Sequence, residues 1–147
     1  MVTRTVNRDR HEIVAVVHTL VWNSSGTHLV LLERAHTGFM DGRHTLPGGH
    51  LQAAESMVDA AIREVREEVA LELEEARPCC VLPYRGGVNF VFSSTRWQGS
   101  AKNLEPDRCA SVGWFSRDEL PDTVVPWLSK ALELHESSDW FFDFSGP

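Results

Sequence analysis

Apolar positions dominate the start of the chain and set its first elements. From Glu12 to Trp22 the run EIVAVVHTLVW is rich in β-branched residues and almost unbroken in apolar character, which predicts a strand covered on both faces. Asn23–Gly26 (NSSG) is turn chemistry, and Thr27–Arg34 (THLVLLER) predicts the returning strand of a hairpin. His36–His44 (HTGFMDGRH) is polar and glycine-bearing, hence a surface loop. It leads into Thr45-Leu46-Pro47-Gly48-Gly49, where two glycines behind a proline open backbone angles closed to other residues. The period then changes. Val58, Ala61, Ile62, Val65 and Val69 recur at helical spacing and predict a helix over Ala54–Ala70, with Glu55 near its N-terminus, where a negative charge suits the macrodipole. CCVLPY, VNFVFSST and CASVGWF predict further short strands, separated by Pro83, by Arg85–Gly87 and by the polar stretch Gly99–Arg108. Asp118-Glu119-Leu120 predicts a short helical turn, and Pro126 the first turn of a second helix carrying Trp127, Leu128, Ala131, Leu132 and Leu134. The aromatic tail DWFFDFSGP receives no element. Without a repeat or a linker, this order predicts one α/β domain over residues 1–147, a sheet with helices packed on its faces.

Composition narrows the function more than the fold. The 147 residues are 42% hydrophobic and 24% charged, the balance of one globular domain. The start, MVTRTVNRDRH, has no apolar run behind its basic residues, so no secretory signal is expected. No stretch approaches the roughly 18 apolar residues of a membrane helix. A cytoplasmic protein with no membrane partner is therefore expected. Cys79, Cys80 and Cys109 are odd in number and lack C-x-x-C spacing, which suggests neither a disulfide framework nor a zinc site. A formal charge of −7 argues against a nucleic-acid backbone as partner. A phosphate ligand would instead need cations at its site, to offset both the protein's carboxylates and its own oxygens.

Glu64, Glu67 and Glu68 supply the reason to expect such cations. At about 100° per residue they share one helix face, turned away from the valine stripe. Like charges at this spacing repel, and Arg63 and Arg66 relieve only part of it. A solvated charged face would account for REVREE alone, but the glycine turn just before the helix lets loop carbonyls and carboxylates face one site. Several oxygen-bearing side chains on one rigid element are what a hard divalent ion requires.

The run Gly49–Leu71, GHLQAAESMVDAAIREVREEVAL, resembles the signature of the Nudix hydrolases, MutT-like nucleotide diphosphatases: Gly49, five residues, Glu55, seven residues, then Arg63, Glu64, Val65, Glu67, Glu68 and Leu71 in register. Ala70 stands where the family usually has glycine, and Gln52 and Ala54 stand where it often has glutamate and glycine. Thr37–Gly42, Leu46–His50, Asn103–Asp107 and Trp114-Phe115 extend the likeness to a bacterial subgroup of unassigned substrate. The resemblance implies a Nudix-type α/β/α sandwich with a mixed β-sheet. It also implies a metal-dependent hydrolase that cleaves the diphosphate linkage of a nucleoside triphosphate or of another nucleoside diphosphate joined to a further moiety. The cofactor so implied is Mg²⁺, with Mn²⁺ as an alternative. Glu64, Glu67 and Glu68 would ligate it with the Gly48 carbonyl, Arg63 would orient the carboxylates, and Glu55 and Gly49 would support helix and loop. For the general base the resemblance leaves two candidates, Glu64 and Glu105, the latter in the loop Asn103–Asp107.

On the substrate side, Phe39 or Met40 could stack on a base, Asp41 could accept its hydrogen bonds, and Arg85, Asn89 and Arg96 are polar positions near the strand VNFVFSST. His50 beside the glycines reads as structural rather than as a ligand. Trp97 and Trp114 read as packing aromatics. The expected partner is a small nucleotide-like molecule, and a homodimer is left open. The rival reading is a catalytically silent Nudix-fold module that binds a nucleotide as a regulator, against which the complete glutamate set speaks.

Overall fold

The structure, a computed structural model, describes residues 10–146; most of the start read above for a leader lies outside the described residues. The elements follow in the order β1 (Val14–Val21), β2 (His28–Arg34), β3 (His44–Thr45), β4 (Gly48–His50), α1 (Met57–Val69), β5 (Glu72–Leu73), β6 (Arg77–Tyr84), β7 (Gly87–Ser94), β8 (Trp97–Gln98), β9 (Cys109–Ser116) and α2 (Pro126–Ser137). One sheet runs β4-β1-β7-β6, a second β3-β2-β9, and β5 pairs with β8. Strands β1 and β7 are parallel over Val14–Val21 and the other pairings are antiparallel, which makes the first sheet mixed.

Two helices cover opposite faces, which explains the unbroken apolar runs. Leu20 and Trp22, with Leu29 and Leu31 of β2, pack with Leu128, Ala131 and Leu132 of α2. The alternate residues Val21, Val30 and Leu32 pack with Val65 and Val69 of α1, while Val17 meets Ala60 and Ala61. A strand with a helix over each face has no solvent side, so its polar positions vanish. The expected α/β/α arrangement with a mixed sheet is what the chain adopts.

Several boundaries differ from the expectation. Helix α1 starts at Met57, not Ala54, because the Ser56 hydroxyl caps it by accepting from the Asp59 amide at 3.0 Å. Glu55 therefore lies in the loop before the helix. Val58, counted in the apolar stripe, is 39% exposed, and Ala60 takes the buried place. Asp118–Leu120 forms a turn closed by the Glu119 amide on the Ser116 carbonyl, not a helical one. The unassigned tail lies along the outer edge of β6: the Val81 amide donates to the Trp140 carbonyl, and the Phe142 amide returns to Val81. Pro126 opens α2 at its first turn, as expected.

Ala54 and Ala70, both in positions where the resembled signature favours glycine, have φ of 61° and 64°. A Cβ is strained in this left-handed region, and Ala70 is the residue that ends α1, its amide donating to the Arg66 carbonyl at 3.2 Å. Ala54→Gly and Ala70→Gly are each expected to stabilise the protein by roughly 0.5–1 kcal/mol, the relief of strain outweighing glycine's added freedom in the unfolded chain. Thermal melts of the single and double variants check this, since unchanged or lowered midpoints would show the strain to be negligible.

Candidate active site

The glycine turn owes its composition to close approach rather than to special angles. Neither Gly48 nor Gly49 takes a positive φ, and both lie in β4. A Cβ on Gly48 would stand 2.1 Å from the Val17 carbonyl oxygen, and one on Gly49 would stand 2.6 Å from Glu64 Oε1. Removing both side chains lets β4 lie flat between β1 and the glutamate face of α1.

Arg63 organises that face. It donates from Nε to Glu55 Oε2 at 2.6 Å and from Nη2 to Glu55 Oε1 at 3.0 Å, a two-pronged pair, while Nη1 reaches Glu64 Oε1 at 3.0 Å and Glu67 Oε2 at 3.1 Å. Nη2 also meets the His50 carbonyl at 3.3 Å. The carboxylates hold the guanidinium's proton more firmly than usual, Glu55 most of all. Glu55 in turn accepts from the Gln52 amide at 3.0 Å, so it ties the loop to the helix. The Arg63 bonds hold its carboxyl below the usual carboxylate range.

Glu68 sits differently. Its Oε1 accepts from the Gly48 amide at 2.9 Å, and among the described residues it forms no ion pair with Lys, Arg or His. Burial, then the neighbouring Glu64 and Glu105 carboxylates, push its pKa up to about 9, against the opposing pull of the Gly48 amide. The loop carrying Glu105 reaches this point because the carbonyls at the end of α1 recruit it. The Lys102 amide donates to Val69 at 2.9 Å and the Leu104 amide to Glu68 at 3.3 Å, filling acceptors a helix end leaves free.

Gly48, Glu64, Glu67, Glu68 and Glu105 thus line one cavity of about 300 Å³, together with Arg34, Arg63 and Arg108. Among the described residues no three acidic, histidine or cysteine side chains converge into a ready metal cluster. Arg63 draws Glu64 and Glu67 toward itself. The donor set nevertheless fits a hard divalent ion: all side-chain donors are carboxylate oxygens, and the half-buried Glu68 has no paired cation among the described residues.

A second cavity of about 540 Å³ adjoins the first and shares Arg34, Gly48, Gly49, His50 and Arg108 with it. Its walls are mostly apolar and aromatic, with Phe39, Met40, Tyr84, Trp127 and Phe144 among them, and His18 and Asn89 line it too. His18 Nδ1 lies 2.8 Å from Asn89 Oδ1, and its ring packs 4.7 Å from that of Trp127. Burial lowers the His18 pKa to about 4.

Of the residues singled out on the substrate side, Phe39, Met40 and Asn89 line this cavity, whereas Asp41 and Arg85 line neither. Asp41 is turned into its own loop, accepting from the Thr37 and Gly38 amides at 3.1 and 2.9 Å, and Arg85 sits in the turn between β6 and β7. Arg96 pairs with Glu74 at 3.2 Å. Trp97 and Trp114 pack together at 5.3 Å, and Trp97 donates to the Trp22 carbonyl. Sequence reasoning missed Arg34, Arg108 and His18. The one available signal was a histidine inside an otherwise apolar strand.

Comparison with known proteins agrees with this geometry. The NUDIX domain family matches residues 11–135. The NAD-capped RNA hydrolase NudC of Pseudomonas putida is 30% identical over 96 residues, covering 63% of this chain and 33% of the relative. NudC of Vibrio vulnificus is 28% identical over 118 residues, covering 76% and 42%. The chain thus spans a third to two fifths of the length of these curated relatives. Among solved structures, the MutT NUDIX hydrolase of Burkholderia pseudomallei superposes with a TM-score of 0.76 at 27% identity, covering 84% of this chain and 98% of that one. The chain belongs to the NUDIX domain family, among relatives and structural neighbours that are Nudix hydrolases.

Proposed function

We propose that the protein is a metal-dependent hydrolase that cleaves the diphosphate linkage of a nucleoside triphosphate or of another nucleoside diphosphate joined to a further moiety. The observation that carries this reading is the pair of adjoining cavities, one lined by carboxylates and the other by aromatics, with Arg34 and Arg108 at their border. A nucleotide has the same two ends, and a diphosphate lying across the border would meet both guanidinium groups. Two of the relatives are named as hydrolases of NAD-capped RNA. A formal charge of −7 argues against the RNA chain as the main partner, so the proposed substrate is the nucleotide itself.

Glu64, Glu67, Glu68 and the Gly48 carbonyl would hold Mg²⁺, or Mn²⁺ in its place. Such ions, when bound, polarise the diphosphate and acidify the attacking water. The chain's own residues do the rest. Arg63 holds Glu64 and Glu67 on one side of the cavity. Glu64 or Glu105 takes the proton of the water, and Arg34 and Arg108 balance charge on the leaving phosphate. Phe39 and Met40 would flank the base. We take residues 1–147 as one domain acting in the cytoplasm; no helix among the described residues is long and apolar enough to cross a membrane.

A panel of nucleoside triphosphates, nucleotide sugars, oxidised nucleotides and dinucleoside polyphosphates, each with and without Mg²⁺ or Mn²⁺, tests the reading. Separating pyrophosphate from monophosphate products identifies the bond broken. Metal-dependent cleavage of any member supports it, and tight binding without cleavage across the panel would make the protein a regulatory binding module instead.

A further inference from the structure

Asn89 is 4% exposed, paired in register with Val16 of β1 on one side and Leu82 of β6 on the other, and it lines the aromatic cavity. Its Oδ1 faces His18 Nδ1 at 2.8 Å. An amide oxygen only accepts, so the ring carries its proton on Nδ1, and it does so whether the imidazole is neutral or charged. That bond fixes which way the amide points. Nδ2 has no hydrogen-bond partner among the described residues, and it is not one of the buried atoms sealed off without a partner. The Nδ2 donors of a buried side chain are therefore left unpaired at a cavity whose walls are mostly apolar and aromatic but also include Arg34, His50 and Arg108. Such donors are costly to leave unmet once a ligand displaces water, and a site of this kind discriminates more sharply than an apolar pocket.

We infer that Asn89 reads the edge of the substrate's base: its Nδ2 donates to a ring carbonyl oxygen, so the pocket takes 6-oxopurines and 4-oxopyrimidines in preference to adenine, with His18 as the positioning residue that sets the amide. This rests on the proposal that the protein binds nucleotides in these cavities. Adenine presents an amino group where hypoxanthine presents an oxygen, and the amino group sets donor against donor. The flanking aromatics hold either purine equally well by its faces, leaving the edge to decide.

Inosine and adenosine nucleotides differ only along that edge, an oxygen beside a protonated N1 against an amino group beside an unprotonated N1, which makes them the probes. Calorimetric Kd values for inosine and adenosine 5′-diphosphate are measured beside kcat/KM for the two triphosphates, in wild type, Asn89→Asp and His18→Phe, each checked by thermal melt. The wild type should favour inosine by about 10- to 100-fold. Asn89→Asp, whose free oxygen accepts from an amino group, should reverse the order, and His18→Phe should bring the ratio to within about threefold of unity by releasing the amide. Equal affinities in the wild type would overturn the inference, as would a ratio unmoved by Asn89→Asp. Because binding and turnover are read separately, an inosine preference without hydrolysis would contradict the hydrolase proposal and leave this inference standing. Hydrolysis without preference would do the opposite.

Discussion

Glu64→Gln is expected to lower turnover by roughly 10²–10⁴-fold with the fold intact, the range set by losing a positioned base together with an anionic ligand. The side chain lies against Gly49 and bonds Arg63 at 3.0 Å. Glutamine keeps that shape and can still accept from the guanidinium through its amide oxygen. The melting temperature should therefore move little, and kcat, followed as product release under saturating substrate and metal, should carry the loss. Glu105→Gln is the companion variant. A deep loss in Glu64→Gln assigns the base to Glu64 only if the acid limb of the pH–rate profile disappears with it, since a metal ligand is lost as well, and a deep loss confined to Glu105→Gln assigns the base to Glu105. Full activity in both would remove proton abstraction by either residue from the account.

Glu68→Gln is expected to stabilise the protein in the presence of a chelator while removing activity. The half-buried carboxyl has its pKa raised from 4.5 to about 9 in the folded chain, so folding favours the protonated form. The sign follows from linkage. A raised folded-state pKa means that the folded state binds more protons between those two values, so the stability held below about pH 4.5 is progressively lost up to about pH 9. In the chelated wild type, the midpoint of urea unfolding should fall as pH rises through this window. Glutamine carries no charge to bury and keeps an oxygen for the Gly48 amide, so the variant's midpoint should fall less, and the difference between the two should widen toward alkaline pH. Parallel curves would show that Glu68 is not the strained group. Divalent ions should close the gap in the wild type alone, because they offset the charge that burial penalises.

These contrasts also mark where the amino-acid sequence was informative. The strands and helices that are long and strongly periodic were legible, as were the glutamates of α1, because their spacing along one helix already fixes their common face. A sheet with helices on its faces followed from the order of the elements and from nearly continuous apolar runs such as Val14–Val21, and the α/β/α sandwich from the resemblance to Nudix hydrolases. What remained hidden depends on distant pairing. Two- and three-residue strands such as β3 and β4 carry no period of their own and exist because β2 and β1 lie beside them. The reason for Gly48 and Gly49 was sought in backbone angles, whereas it lies in contacts with Val17 and Glu64, which the sequence does not bring together. The substrate side was least legible. Arg34 and Arg108 stand 74 positions apart by number (108 − 34) yet border both cavities. His18 and Asn89 meet only because β1 and β7 pair in parallel, which joins residues 71 positions apart. Asp41 had the right chemistry for a ligand, but it spends its carboxylate on capping its own loop.

The central claim is that the carboxylates of α1 hold the ions that hydrolysis needs. A titration with Mn²⁺ tests it most directly, free ion being followed by electron paramagnetic resonance while product formation is read from the same samples. In the wild type, Mn²⁺ binding and turnover should rise together over one concentration range, and a variant with Glu64, Glu67 and Glu68 all changed to glutamine should lose both while keeping its circular dichroism spectrum. Turnover that persists in that folded variant, or Mn²⁺ binding that survives the three substitutions unchanged, would contradict the account.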